Sequence, residues 1–134
     1  MPATLTPPHA REKDTSRLTP LETARRIAAL CQEKLATNVA ILDMQMVCDY
    51  TDFFVIATGR NPRQTKGMHD EVVGELKHEH RLLARSVSGL PEATWIVADY
   101  LDVVLHVFTP ETREYYRLED LWSDVPLVEF AAAG

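Results

Sequence analysis

The stretch Trp95-Ile-Val-Ala-Asp-Tyr-Leu-Asp-Val-Val-Leu-His-Val-Phe108 decides the fold. It holds two apolar runs, Trp95 to Tyr100 and Asp102 to Phe108, with a short break at Leu101. Runs this short, rich in β-branched and aromatic residues, have the composition of strands rather than helices. The tight break between them makes an antiparallel pair. Alternation along the first strand puts Trp95, Val97 and Asp99 on one face and Ile96, Ala98 and Tyr100 on the other. In the second strand His106 shares a face with Val104 and Phe108, opposite Val103, Leu105 and Val107.

Upstream, Phe53-Phe-Val-Ile-Ala-Thr58 is a continuous apolar run, the pattern of a strand covered on both faces, and Val39 to Met44 reads as a strand before it. Two helices alternate with these strands. Thr19-Pro20-Leu21-Glu22 carries a capping-box signature; Leu21, Ala24, Ile27, Ala28, Cys31 and Leu35 then fall on one helical face, and Thr37-Asn38 ends the helix. Asn61-Pro62 opens a second helix to about His80, with Met68, Val72, Val73 and Leu76 as its apolar stripe. Leu82 to Val87 follows as a strand, so strand, helix and strand form a right-handed crossover with parallel strands. Downstream, Thr109-Pro110-Glu111 starts a short helix. Tyr115, Leu118, Leu121 and Trp122 lie on its apolar side or just past it, with Trp122 as a packing residue.

The expectation is an α/β (α+β) domain: one mixed sheet of about five strands with helices packed on it. Periodicity leaves the strand order open. Residues 1–18 read as a disordered tail, 19–128 as the single domain and 129–134 as a C-terminal tail. No apolar run approaches the roughly 20 residues of a spanning helix, and Met1 to Arg17 lacks the apolar core of a secretory signal. The cytoplasm is therefore the expected compartment, where Cys31 and Cys48 are expected as thiols.

Charge is unevenly spread. From Pro91 to Gly134 nine acids face only Arg113 and Arg117, a net of −7 in a chain whose total is −6. Such a segment repels phosphate backbones, so direct nucleic-acid binding is not expected. It suits a Lys/Arg-rich protein surface, but acids also keep small domains soluble, and on charge alone solvation is the favoured reading.

Signals for catalysis are weak. Asp49 and Asp52, and Asp99 and Asp102, sit at strand edges, where Asp serves turn chemistry. Neither pair has the i, i+2 spacing of a two-metal site, and no glycine-rich phosphate cradle precedes a helix. His78 and His80 point to different faces of one helix. His106 within a strand reads as a packed, hydrogen-bonded residue. The basic start of the second helix, Arg60 to Lys66, can attract an anion or simply be a solvated first turn. No enzyme activity, cofactor or metal is expected. The Trp95 strand differs: Ile96 and Ala98 suit a helix-covered face, which leaves Trp95 and Val97 toward the other. If that face is uncovered it is a binding hot spot; the competing reading is that the C-terminal segment folds over it.

Several of these stretches together are familiar: Asp49 to Gly59, Arg63-Gln64, Trp95 to Phe108, and Arg113 with Tyr115 to Trp122. They closely resemble the ribosomal silencing factor family, also called Iojap-like, over roughly Leu21 to Val128. The resemblance implies a nucleotidyltransferase-like fold without the catalytic carboxylates. It implies binding to the large ribosomal subunit through a basic ribosomal protein on the intersubunit face, hindrance of small-subunit joining, and repression of translation under nutrient limitation. Organellar relatives imply an alternative role in large-subunit assembly; a degenerate nucleotidyltransferase is a further alternative. The partner-contacting positions it implies are Trp95, Val97, Asp99, Tyr100, Asp102 and His106. Many members have Gly where this chain has Leu101, so a differently shaped turn is expected there. A free protein with this face uncovered is expected to pair as a homodimer.

Overall fold

The computed structural model describes residues 17–121 and 123–129 of the 134-residue chain. Most of the expected N-terminal tail, Trp122 and most of the expected C-terminal tail lie outside the described residues, as does the side chain of Leu121.

Helix α1 spans Pro20–Glu33. The capping box fixes its start: Glu22 N–H donates to Thr19 Oγ1 at 3.1 Å, and Thr19 N–H donates to the Glu22 carboxylate at 2.9 Å, satisfying two otherwise orphaned donors. Strand β1 spans Thr37–Asp43 and β2 spans Phe53–Thr58. Thr37 and Asn38 open β1 rather than ending the helix. The chain has already turned at Leu35, with φ 68°, and a second left-handed residue, Asn38 at φ 51°, coincides with the register shift between Thr37 and Ala40.

Helix α2 spans Pro62–His80. Asn61 Oδ1 accepts the Gln64 N–H at 2.9 Å, and Pro62 occupies the first turn, where its missing donor costs nothing. The remaining elements are β3 (Ser86–Ser88), β4 (Trp95–Asp99), β5 (Val103–Phe108), α3 (Pro110–Tyr116) and α4 (Leu118–Leu121). The third strand is shorter and later than the expected Leu82 to Val87. Leu82 N–H is used to close α2, donating to the Leu76 carbonyl at 2.9 Å, so strand geometry begins only beyond it.

The five strands form one sheet in the order β1-β2-β5-β4-β3. Only β2 and β5 are parallel neighbours; every other pair is antiparallel. Strands β2 and β3 run in the same direction, as the crossover reading requires, but β5 and β4 lie between them.

Both long helices pack on one face of this sheet. Ala24, Ile27 and Cys31 of α1 and Met68, Val72 and Leu76 of α2 join Ile41, Val55, Ile96, Ala98, Leu105 and Val107 in the main core. Each such fully buried aliphatic contributes roughly 1.5–3 kcal/mol. The opposite face carries a smaller cluster of Leu42, Met44, Phe54, Ile56, Val104 and Phe108, covered by Leu118 and Val125. The C-terminal segment runs along β1, where Val128 N–H donates to the Ile41 carbonyl and Asp43 N–H to the Pro126 carbonyl, both at 2.9 Å. It therefore continues the sheet at the free edge of β1, with Val128 against the main core and Val125 in the smaller cluster. All six residues of β2 are buried, which accounts for its unbroken apolar run.

Candidate functional site

The smaller cluster continues onto β4. Trp95 and Val97 are half-buried there, while Ile96 and Ala98 are fully buried beneath the helices. Trp95 lies opposite Phe108, and Val97 opposite His106, across the β4–β5 pairing. The Trp95 ring stacks on Phe108 at 5.0 Å and 25°, and Tyr116 of α3 reaches it at 4.8 Å. Tyr115 then meets Tyr116 edge-on at 5.0 Å. Aromatic pairs of this kind contribute about 0.5–1.5 kcal/mol each beyond area burial, so the indole is held in place before any partner arrives.

Tyr115 does not lie on an apolar helix side. It is 80% exposed and Tyr116 51%, and α3 buries none of its residues. The two tyrosines extend the aromatic surface outward from Trp95. Periodicity missed them because a helix of a single turn or two has no stripe to detect.

His106 lies below Trp95, only 7% exposed. The indole N–H donates to His106 Nδ1 at 3.2 Å, and Phe54 packs edge-on to the imidazole at 4.7 Å. Burial lowers the imidazole pKa to about 4, so it is neutral at physiological pH. This matches the packed, hydrogen-bonded reading of His106 and places it under the surface. Tyr100 is also not brought to the surface. It points to the helix-covered face, 4% exposed, and burial pushes its phenol up to about 12.

At the far end of β4 the chain turns through Leu101, whose φ is 76°. The turn is not opened by the bulky residue. Tyr100 N–H donates to the Val103 carbonyl at 2.8 Å and Asp102 N–H to the Tyr100 carbonyl at 2.9 Å. Leu101 occupies the left-handed region that favours glycine, and its side chain is half exposed. Asp99 supports the turn: its carboxylate accepts the Leu101 N–H at 2.7 Å and pairs with Arg85 at 3.0 Å. Asp102 is exposed, and its carbonyl anchors the turn by accepting the Asp52 and Phe53 N–H groups at 2.9 and 3.1 Å.

The loop between β1 and β2 borders the same end. Met46 is 89% exposed, and Val47 and Tyr50 are exposed beside it. Burial first, then the neighbouring Cys48 and Asp99, raise the Tyr50 phenol. Cys31 is buried and Cys48 half-buried, both as free thiols. Among the described residues no group of three or more His, Cys, Asp or Glu side chains is placed to hold a metal ion, and no helix is long and apolar enough to cross a membrane.

The arrangement is thus a preordered aromatic strip with exposed apolar and acidic neighbours. It offers shape, apolar area and negative charge, which are the ingredients of a protein-binding surface. Comparison with known proteins finds a family and relatives for the chain as a whole. The family described as "ribosomal silencing factor during starvation" matches residues 17–133. A ribosomal silencing factor of Bacillus subtilis is 35% identical over 102 residues, covering 76% of this chain and 86% of its own. A mouse protein named for mitochondrial assembly of the ribosomal large subunit is 31% identical over 115 residues, covering 79% of this chain and 49% of its own. Among solved structures, a Chromobacterium violaceum protein superposes with a TM-score of 0.76 at 26% identity, covering 86% of this chain and 94% of that one.

Proposed function

Because this chain belongs to the ribosomal silencing factor family, we propose that it docks on the large ribosomal subunit through a basic ribosomal protein at the subunit interface. The bound domain then occupies space that the small subunit needs, and translation falls when nutrients are short. The action is steric and requires no turnover, cofactor or membrane; its place is the cytoplasm.

The observation that carries this reading is Trp95: a partly buried tryptophan fixed between Phe108 and Tyr116, on the face of the sheet opposite the two long helices. Val97 adds apolar area beside it. Asp102 is the exposed acid for a partner Lys or Arg. Asp99 is partly committed to Arg85 and Leu101, so its first role is to shape the turn. Buried aromatic anchors of this type typically cost 2 kcal/mol or more when truncated, a loss of roughly thirtyfold in affinity. A charge placed on the anchor adds a desolvation penalty.

The test is sedimentation through a sucrose cushion with isolated subunits. Wild-type protein is expected to pellet with large subunits and not with small ones. Trp95→Glu is expected to stay in the supernatant with its far-ultraviolet dichroism unchanged. Unaltered pelleting of that variant would sink the anchor assignment. The name of the mouse relative supports a second reading, action during large-subunit assembly, through the same surface.

A further inference from the structure

We infer that His106 is the positioning residue of the Trp95 anchor: it accepts the indole N–H from within the sheet, so that the partner meets the ring through its carbon face. This deepens, and rests on, the docking role proposed above.

The indole nitrogen can only donate. At 3.2 Å from His106 Nδ1 it has an acceptor, which places the imidazole proton on Nε2. His106 projects from β5 on the same face as Trp95 and is nearly fully buried, so the indole N–H points across the sheet into a covered imidazole and not outward to a docking protein. The remaining contacts reinforce this orientation. Phe54 braces the imidazole, while Phe108 and Tyr116 hold the indole itself. Tryptophan usually brings an apolar body and one polar handle to an interface; here the handle is already occupied.

The consequence is a specificity rule. A partner carbonyl or carboxylate offered to Trp95 finds no free donor. An aliphatic stem, or the stem and charged head of Lys or Arg laid on the ring, gains apolar contact and attraction to the π face. The attraction of a cation to the π face favours the Lys or Arg choice over a purely apolar one.

Two variants separate this role from simple packing. His106→Phe keeps an aromatic ring of similar size and removes the acceptor. His106→Asn sacrifices packing but returns an amide oxygen near the Nδ1 position. Both are made beside a Trp122→Phe background, so that the single remaining indole N–H resonance belongs to Trp95. In His106→Phe that resonance is expected to shift and its proton to exchange faster with solvent, and binding to isolated large subunits to weaken about five- to tenfold. His106→Asn is expected to bring back the protected resonance and most of the lost affinity. Wild-type affinity and an unmoved resonance in His106→Phe would overturn the positioning role alone. So would an Asn variant as weak as Phe, because that outcome means packing. Failure of the wild-type chain to bind large subunits would remove the docking role and this inference together.

Discussion

At the scale of single residues, Leu101 shows a bulky residue held in a backbone conformation that favours glycine, at an energetic cost. The turn between β4 and β5 needs positive φ at its first central residue, and a side chain there meets the steric penalty that makes glycine the usual choice. The short turn hydrogen bonds and the Asp99 carboxylate hold Leu101 at φ 76° regardless. Left-handed geometry costs an L-residue roughly 1–2 kcal/mol, part of which is offset because Leu has fewer unfolded conformations than Gly. Leu101→Gly is therefore expected to stabilise the domain by roughly 0.5–1 kcal/mol, seen as a higher thermal midpoint with subunit binding retained. A lower midpoint would mean that the Leu101 side chain contributes more than its backbone costs. Tyr100 teaches a complementary lesson. The alternation of the strand put it on the Ile96 and Ala98 face from the outset, and that face is the one the helices cover. Its place among partner contacts came from the family resemblance alone, and its burial makes it a core residue.

At the scale of elements, the long helices were legible because their starts are chemically explicit. Thr19 with Glu22, and Asn61 with Pro62, leave few alternatives for where the backbone donors find acceptors. Their mutual packing was not legible, since it depends on pairs distant in sequence. Arg26 of α1 and Glu75 of α2 form a two-pronged ion pair, with Arg26 Nη2 at 2.8 Å from Glu75 Oε1. The hydrogen bonds from Arg26 hold the Glu75 carboxyl below the ordinary range, against the upward push of burial. A carboxylate depressed in the folded state adds stability above its unfolded pKa of about 4.3, and loses it as pH falls through the folded value. Arg26 is 38% exposed, so solvent screening limits the pair. Glu75→Gln is expected to lower unfolding free energy by about 1 kcal/mol at pH 7, with the difference from wild type shrinking steadily below pH ~4.3. Urea denaturation at neutral and acid pH measures this directly; a pH-independent difference would contradict it. Strand order belongs to the same scale. Each strand's faces follow from its own alternation, but the parallel β2–β5 pairing joins residues on either side of α2, and no local pattern encodes it.

At the scale of the whole molecule, function emerges from how the layers are distributed. Both long helices sit on one face, and residues 126–128 extend the sheet at the edge of β1. Trp95, on the other face, is partly buried against Phe108, His106 and Tyr116. Trp95 and Val97 could be chosen from sequence because alternation separates them from the core set. Tyr116, Tyr50 and Met46 could not, because they come from a short helix and a loop that only the fold brings to this side. The acidic C-terminal third also becomes spatial: Asp102 projects from the turn at one end of β4, while Glu111 and Glu114 lie on α3 near the other. An aromatic strip between acids fits a basic protein surface and disfavours bare RNA.

The central claim is that occupation of the large subunit by this surface keeps the small subunit away. Light scattering of purified subunits as they join measures it most directly, with the large subunits first saturated with the protein. Joining is expected to be strongly suppressed by the wild-type chain and to proceed normally with Trp95→Glu. Joining at full rate and to full extent on large subunits saturated with wild-type protein would contradict it.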